Sequence, residues 1–181
     1  MTPRNFNDTG FVLKAVDYKE ADAIVTIYSQ KFGKLVLIAN GIKKLKSRKR
    51  GHIRQFSKIR FSASHTKGLG ILTEVETIKN YPKIEKTLGK VSLGYYFSEV
   101  IDKFIHEGES NKEVFELIDE YFLKLSQTNQ LKKLRLSFIY DLLVTLGFWP
   151  KGKVMENEDL IIGEILEREI SSLRVGKRIL I

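Results

Sequence analysis

Ile24-Val-Thr-Ile-Tyr-Ser-Gln-Lys-Phe-Gly-Lys-Leu-Val-Leu-Ile-Ala39 decides how the first half of this 181-residue chain folds. Its opening residues alternate Ile24, Thr26 and Tyr28 with Val25 and Ile27, a β-branched and aromatic pattern suited to a strand. Lys31-Phe-Gly33 turns the chain, and Leu35 to Ala39 forms a second short apolar run. Upstream, Gly10 to Val16 reads as a strand that ends in the turn Asp17-Tyr-Lys-Glu-Ala-Asp22. Downstream, Ile59, Phe61 and Ala63 alternate with Arg60, Ser62 and Ser64, a half-buried strand with one polar face. Thr66-Lys-Gly-Leu-Gly70 is a hairpin signal. Ile71, Thr73, Val75 and Thr77, set against Leu72, Glu74, Glu76 and Ile78, complete a fifth strand closed by Asn80-Tyr-Pro82. Five strands with no helical period among them predict a small closed or nearly closed barrel. An OB-fold has that strand count, and an SH3-like barrel fits it about as well.

After Pro82 the apolar period lengthens to three and four. The stripes are Leu93, Phe97, Val100, Ile101, Phe104; Val114, Ile118, Tyr121, Phe122, Leu125; Leu131, Leu134, Phe138, Leu142, Leu146; and Ile162, Ile165, Leu166, Ile170, Leu173. Each predicts one amphipathic helix. Ser110 or Asn111 is the expected N-cap of the second, and Gly147-Phe-Trp-Pro150 the stop of the third. Tyr95, Phe97, Phe104, Phe115, Phe122 and Phe138 lie on or beside these stripes and read as core. The expected class is therefore α+β, with a five-stranded barrel over residues 1–80 and an all-helical domain over 83–181.

Between the third and fourth strands lies Gly41-Ile-Lys-Lys-Leu-Lys-Ser-Arg-Lys-Arg-Gly-His-Ile-Arg54, with seven Lys or Arg and no Asp or Glu. The chain has 31 basic and 22 acidic residues, so this run supplies seven of the nine excess charges and leaves the remainder almost balanced. Positive charge is a local device here. A basic run between two strands is a loop or arm that attracts polyanions, nucleic acid above all, although a solvated charge run is the plainer reading of such a stretch.

Other chemistries find little support. With no cysteine there is no disulfide, thiolate metal site, Fe–S cluster or thiol nucleophile. The three histidines, His52, His65 and His106, are scattered. Gly68-Leu-Gly70 lacks the Lys-Ser/Thr of a phosphate loop. Asp17, Glu20 and Asp22 sit in a turn between strands, where acidic residues more often cap or face water than hold a metal. The N-terminus shows no secretory leader, and no run approaches the roughly 18 apolar residues of a membrane span. The expectation is a cytoplasmic binding protein without enzymatic activity, cofactor or metal.

Several stretches resemble the RecO family of bacterial recombination mediators. The N-terminal pattern is Gly10-Phe-Val-Leu-Lys14, then Asp17-Tyr-Lys-Glu-Ala-Asp22, then Thr26 to Leu35 with its Gly-Lys-Leu ending. Gly41 with Lys46-Ser-Arg48, Gly51 with Gln55-Phe56, and Leu69 to Glu76 follow in the family's order, and Leu146-Gly-Phe-Trp-Pro150 resembles its L-G-Y-x-P stretch. The resemblance implies an OB-fold followed by a helical domain that binds single- and double-stranded DNA and anneals complementary strands. It also implies work with RecR and single-stranded DNA-binding protein to load the recombinase RecA. Many members carry a four-cysteine zinc site after the L-G-Y-x-P stretch. Here Lys151 to Asp159 has no cysteine and 31 residues follow Pro150, so a short form without zinc is expected.

The residues expected to meet DNA are Lys43, Lys44, Lys46, Arg48, Lys49, Arg50 and Arg54, with Lys34 outlying at a strand start. Lys and Arg contacts to phosphate position a strand without reading its sequence, as annealing requires. Tyr18, Tyr28, Phe32, Phe56 and Phe61 are the aromatics from which any base-stacking surface would come, most of them expected in the core. Two other binding readings stand beside this one: an adaptor whose basic run docks an acidic protein, and an RNA-binding OB protein. A metal-dependent nuclease is the weakest. On the helices, Lys132, Lys133 and Arg135 offer positive charge that reads mainly as a solvated face.

Overall fold

The alternating segments form five strands: β1 (Asn5–Tyr18), β2 (Asp22–Ser29), β3 (Gly33–Ala39), β4 (Lys58–Ser64) and β5 (Gly70–Lys79). The computed structural model describes residues 4–65 and 68–166, so two residues of the predicted β4–β5 turn lie outside it. The strands close into a barrel in the order β1-β2-β3-β5-β4. Neighbours are antiparallel except β3 and β5, which run parallel through Leu37↔Gly70 and Ile38↔Ile71. A meander would place β4 beside β3. Here β5 occupies that position, and this Greek-key order is the OB-fold's, which resolves the choice the strand count left open.

β1 begins five residues before the segment its alternation marks. Asn5, Asn7 and Asp8 are poor strand formers, yet Asn5 to Phe11 pair with β4 while Gly10 to Tyr18 pair with β2. A register shift between Val12 and Lys14 bends the strand from one partner to the other. Asp8 is buried, and its carboxylate accepts hydrogen bonds from the Ser29 hydroxyl and from the Lys31 N–H at 2.8 Å. Those partners satisfy a carboxylate that would otherwise oppose burial. Phe6, Val12, Val25, Ile27, Leu37, Ile59, Phe61 and Leu72 fill the barrel. Each such side chain contributes about 1.5–3 kcal/mol relative to exposure.

By its contacts the chain divides into two units. One runs to Asn80 and includes Ile105–Lys112; the other comprises Tyr81–Phe104 and the chain from Glu113 onward. In the first, Tyr28 is fully buried, and its hydroxyl donates to the Asn111 carbonyl at 3.2 Å and accepts from the Asn111 N–H at 3.0 Å. Gly33 has φ +66°, and a Cβ there would lie 2.0 Å from the Glu109 carbonyl oxygen, so only glycine fits.

The second unit carries α1 (Leu88–Phe104), α2 (Lys112–Gln127), α3 (Leu131–Thr145) and α4 (Glu158–Leu166). Phe97 stacks on Phe138 with centroids 3.9 Å apart, and Tyr121 meets both rings edge-on at 6.0 and 5.3 Å. Leu93, Val100, Ile118, Phe122, Leu125, Leu134 and Leu142 surround them, as the stripes predict. Tyr95 departs from its core reading and is half exposed, because it falls beside the stripe and not on it. α3 ends as the Gly-Phe-Trp-Pro stretch predicts. Gly147 adopts φ +78°, its N–H bonds Val144 O, and the Phe148 N–H bonds Leu143 O at 2.8 Å, a Schellman cap. Of the fourth stripe Ile162 is buried, while Ile170 and Leu173 lie outside the described residues.

Candidate nucleic-acid interface

Residues 40–57 join β3 to β4 and carry the basic run. They are wound into consecutive turns, with N–H to carbonyl bonds from Lys44 to Gly41, Ser47 to Lys44, Arg50 to Ser47 and His52 to Lys49. Both ends are tied to the barrel. Gly41, at φ +65°, donates its N–H to the Asp22 carboxylate at 2.7 Å, and the Lys43 N–H bonds the Ala21 carbonyl. The Lys43 ammonium reaches Asp17 at 2.8 Å. The acidic β1–β2 turn is thus the anchor of the basic loop. Among the described residues no acidic or histidine group assembles to hold a metal.

At the far end the Gln55 side-chain amide donates to the Leu13 carbonyl at 2.5 Å. Phe56 takes φ +66°, an unusual conformation for an aromatic, with its ring buried. It is held there because its N–H bonds Val12 O while the Val12 N–H bonds Ser57 O. The Gln-aromatic pair therefore closes the loop onto β1.

Between these ends the loop covers a seam. The parallel ladder of β3 and β5 stops after two pairs, and β5 continues alone on that edge. The Lys49 ammonium donates to the next β5 carbonyl, that of Leu72, at 3.1 Å. Further along, the Thr77 N–H donates to His52 Nδ1 at 3.2 Å, and the Thr77 hydroxyl lies 3.0 Å from the same nitrogen. Ile42 enters the core and Ile53 packs against it. Burial holds the Lys49 pKa below the usual lysine value, opposed by the charge of Asp22.

The eight predicted contact residues fall into three groups. Lys44, Lys46, Arg48, Arg50 and Arg54 are exposed on the loop. Lys43 and Lys49 are half-buried, with their ammonium groups engaged by Asp17 and by Leu72 O. Lys34 is not brought to the loop. It sits at the start of β3, at the opposite end of that strand from the loop's first residues, and its carbonyl accepts the Gly108 N–H at 3.0 Å. None of Tyr18, Tyr28, Phe32, Phe56 or Phe61 is exposed, and Phe32 packs on Phe6 with centroids 4.5 Å apart. What composition alone conceals is the breadth of the field, since no Asp or Glu occurs between Asp22 and Glu74. On the helical unit Arg135 turns inward, held by Glu158 at 2.8 Å and by Asp159, over the face of Tyr96. Lys132 and Lys133 remain exposed.

A five-stranded OB barrel with a cationic loop, followed by a helical unit, is the class of protein defined here. The family model described as Recombination protein O N terminal matches residues 1–81, and that described as Recombination protein O C terminal matches residues 85–153. The chain is 32% identical over 143 residues to the DNA repair protein RecO of Syntrophus aciditrophicus, covering 78% of this chain and 55% of that protein. It is 30% identical over 139 residues to the DNA repair protein RecO of Pelotomaculum thermopropionicum, covering 77% and 54%. The same protein of Listeria monocytogenes serotype 4b matches at 30% over 141 residues. The chain belongs to the RecO family, and it spans about half the length of the curated relatives it matches.

Proposed function

We propose that this protein is a non-enzymatic DNA repair and recombination mediator whose basic loop binds single- and double-stranded DNA and anneals complementary strands. The observation that carries this is the outward display of Lys44, Lys46, Arg48, Arg50 and Arg54 on a loop fixed at both ends to an OB barrel. Five mobile side chains can neutralise phosphates of two strands at once and leave the base edges free to pair. A fixed backbone under them lowers the ordering cost of binding. RecR and single-stranded DNA-binding protein are the protein partners and RecA the recombinase reached through them, on the strength of family membership. The setting is the bacterial cytoplasm and nucleoid. No helix among the described residues is long and apolar enough to cross a membrane.

The test is a salt titration of binding to bare oligonucleotides, followed by annealing of complementary strands, naked and coated with single-stranded DNA-binding protein. Five phosphate contacts on a single strand give a log K that falls by about 3.5 per decade of salt. Salt-independent binding, or binding only through an acidic partner protein, would favour the adaptor reading. Tighter binding to structured RNA would favour the RNA reading.

A further inference from the structure

Leu45 is 92% exposed, more than any other large apolar residue described in the chain, and it stands inside the densest positive charge. Its position is set by the backbone. The Ser47 N–H bonds the Lys44 carbonyl at 2.9 Å, which puts Leu45 and Lys46 at the two corners of that turn. The preceding turn, closed by Lys44 N–H to Gly41 O at 3.1 Å, fixes its other side. A leucine at such a corner points away from the barrel core, while Ile42 and Ile53 of the same loop turn inward. Lys44 and Lys46, immediately on either side, are both exposed.

We infer that Leu45 is a base-contacting wedge, inserted between neighbouring bases of a single strand while Lys44 and Lys46 hold the flanking phosphates. This rests on the DNA-binding reading above and deepens it. Charged side chains satisfy phosphate oxygens, but an apolar tip has nothing to offer them, and the apolar surface a nucleic acid presents is the face of an unstacked base. Leucine is among the residues that insert between base steps. Single-strand binders commonly stack bases on exposed aromatics, and among the described residues no aromatic of the barrel is exposed. A single strand already has unstacked steps, whereas a duplex must be opened to admit the leucine. Leu45 therefore favours single strands, and the cations bind either form. In annealing, the wedge holds bases unstacked and available to the incoming strand.

The experiment compares wild type with Leu45→Ala, a change at an exposed position that leaves the core intact. Binding is measured to a single-stranded oligonucleotide carrying 2-aminopurine, to its duplex, and to vesicles of phosphatidylglycerol and phosphatidylcholine. The expected result is a rise in 2-aminopurine emission with wild type that is lost with Leu45→Ala. Single-strand affinity should fall about ten-fold, from the lost burial of the leucine methyls, with duplex affinity and the salt slope unchanged. Equal emission and equal single-strand affinity in the two proteins would overturn the wedge while leaving the phosphate-binding reading standing. Failure of wild type to bind DNA in a salt-dependent way would overturn both. Vesicle binding that depends on Leu45, without the single-strand effect, would reassign the leucine to a lipid surface and overturn the proposal.

Discussion

The ammonium of Lys49 donates to the main-chain carbonyl of Leu72 at 3.1 Å and so bridges the basic loop to β5 just where that strand leaves β3. A lysine counted among the DNA contacts by its charge thereby acts as a clip on the barrel seam. Lys49→Met keeps the aliphatic stem and removes the donor, which orphans the carbonyl at a cost of about 1–3 kcal/mol. Lys46→Met, on the exposed side of the same loop, should leave stability within about 0.5 kcal/mol. Thermal unfolding of the two variants gives the comparison. Equal midpoints would show that the clip contributes nothing.

Reversal of the exposed cations separates binding from folding in the opposite sense. The triple change Lys46→Glu, Arg48→Glu and Arg50→Glu removes three cations and adds three anions at positions without an intramolecular acceptor among the described contacts. Single-strand binding at low salt should be lost, with an unfolding midpoint close to wild type. At two charges per site this is a swing of six, far beyond what the remaining Lys44 and Arg54 offset. Retained affinity would locate the DNA contacts elsewhere on the chain.

How far such distinctions can be read from sequence depends on whether the partner is near in the chain. The alternation of Ile24 to Tyr28 and the stripe of Leu131 to Leu142 are local patterns, and both match the elements they predict. The start of β1 is not local, since Asn5 to Thr9 form a strand only because β4 accepts them and Ser29 satisfies Asp8. The Greek-key order depends on two parallel pairs between Leu37–Ile38 and Gly70–Ile71, which no period announces. At the site, charge density marks the loop. Which cations face outward depends on Asp17 for Lys43 and on Leu72 for Lys49, acceptors 26 and 23 residues away. No local pattern separates Leu45 from Ile42, and the exposure of the one and burial of the other follow from the turns of the loop.

Gly33 tests the turn between β2 and β3. Gly33→Ala combines a left-handed φ with a Cβ placed 2.0 Å from the Glu109 carbonyl oxygen and 2.6 Å from the Ser110 nitrogen, both rigid main-chain atoms. Relief requires displacing the 105–112 segment, which Tyr28 holds through the main chain of Asn111. The expected loss is at least about 3 kcal/mol of stability. Gly51→Ala, where nothing lies within 4 Å of the added carbon, serves as the control and should be near neutral. Chemical denaturation of the two variants gives the difference directly, and equal midpoints would mean that the turn tolerates a side chain.

Alkaline pH should act on the helical unit through its tyrosines. Tyr81 donates to Asp119 and Tyr121 to Asp141, each at 2.5 Å. Burial, reinforced by the carboxylate each phenol faces, holds both pKa values well above the ordinary value of 10.0. The folded state thus keeps a proton that the unfolded chain releases above about pH 10, so the unfolded state binds fewer protons and stability falls as pH rises. The contribution is fully present below pH 10 and declines beyond it by at most about 1.4 kcal/mol per pH unit for each tyrosine. Unfolding midpoints followed by circular dichroism from pH 8 to 11.5 should be insensitive to these groups at first and then drop. The double variant Tyr81→Phe, Tyr121→Phe starts from a lower midpoint, because each hydrogen bond is gone, but its decline above pH 10 is shallower. An equally steep decline in the double variant would assign the alkaline transition to other groups, the lysines among them.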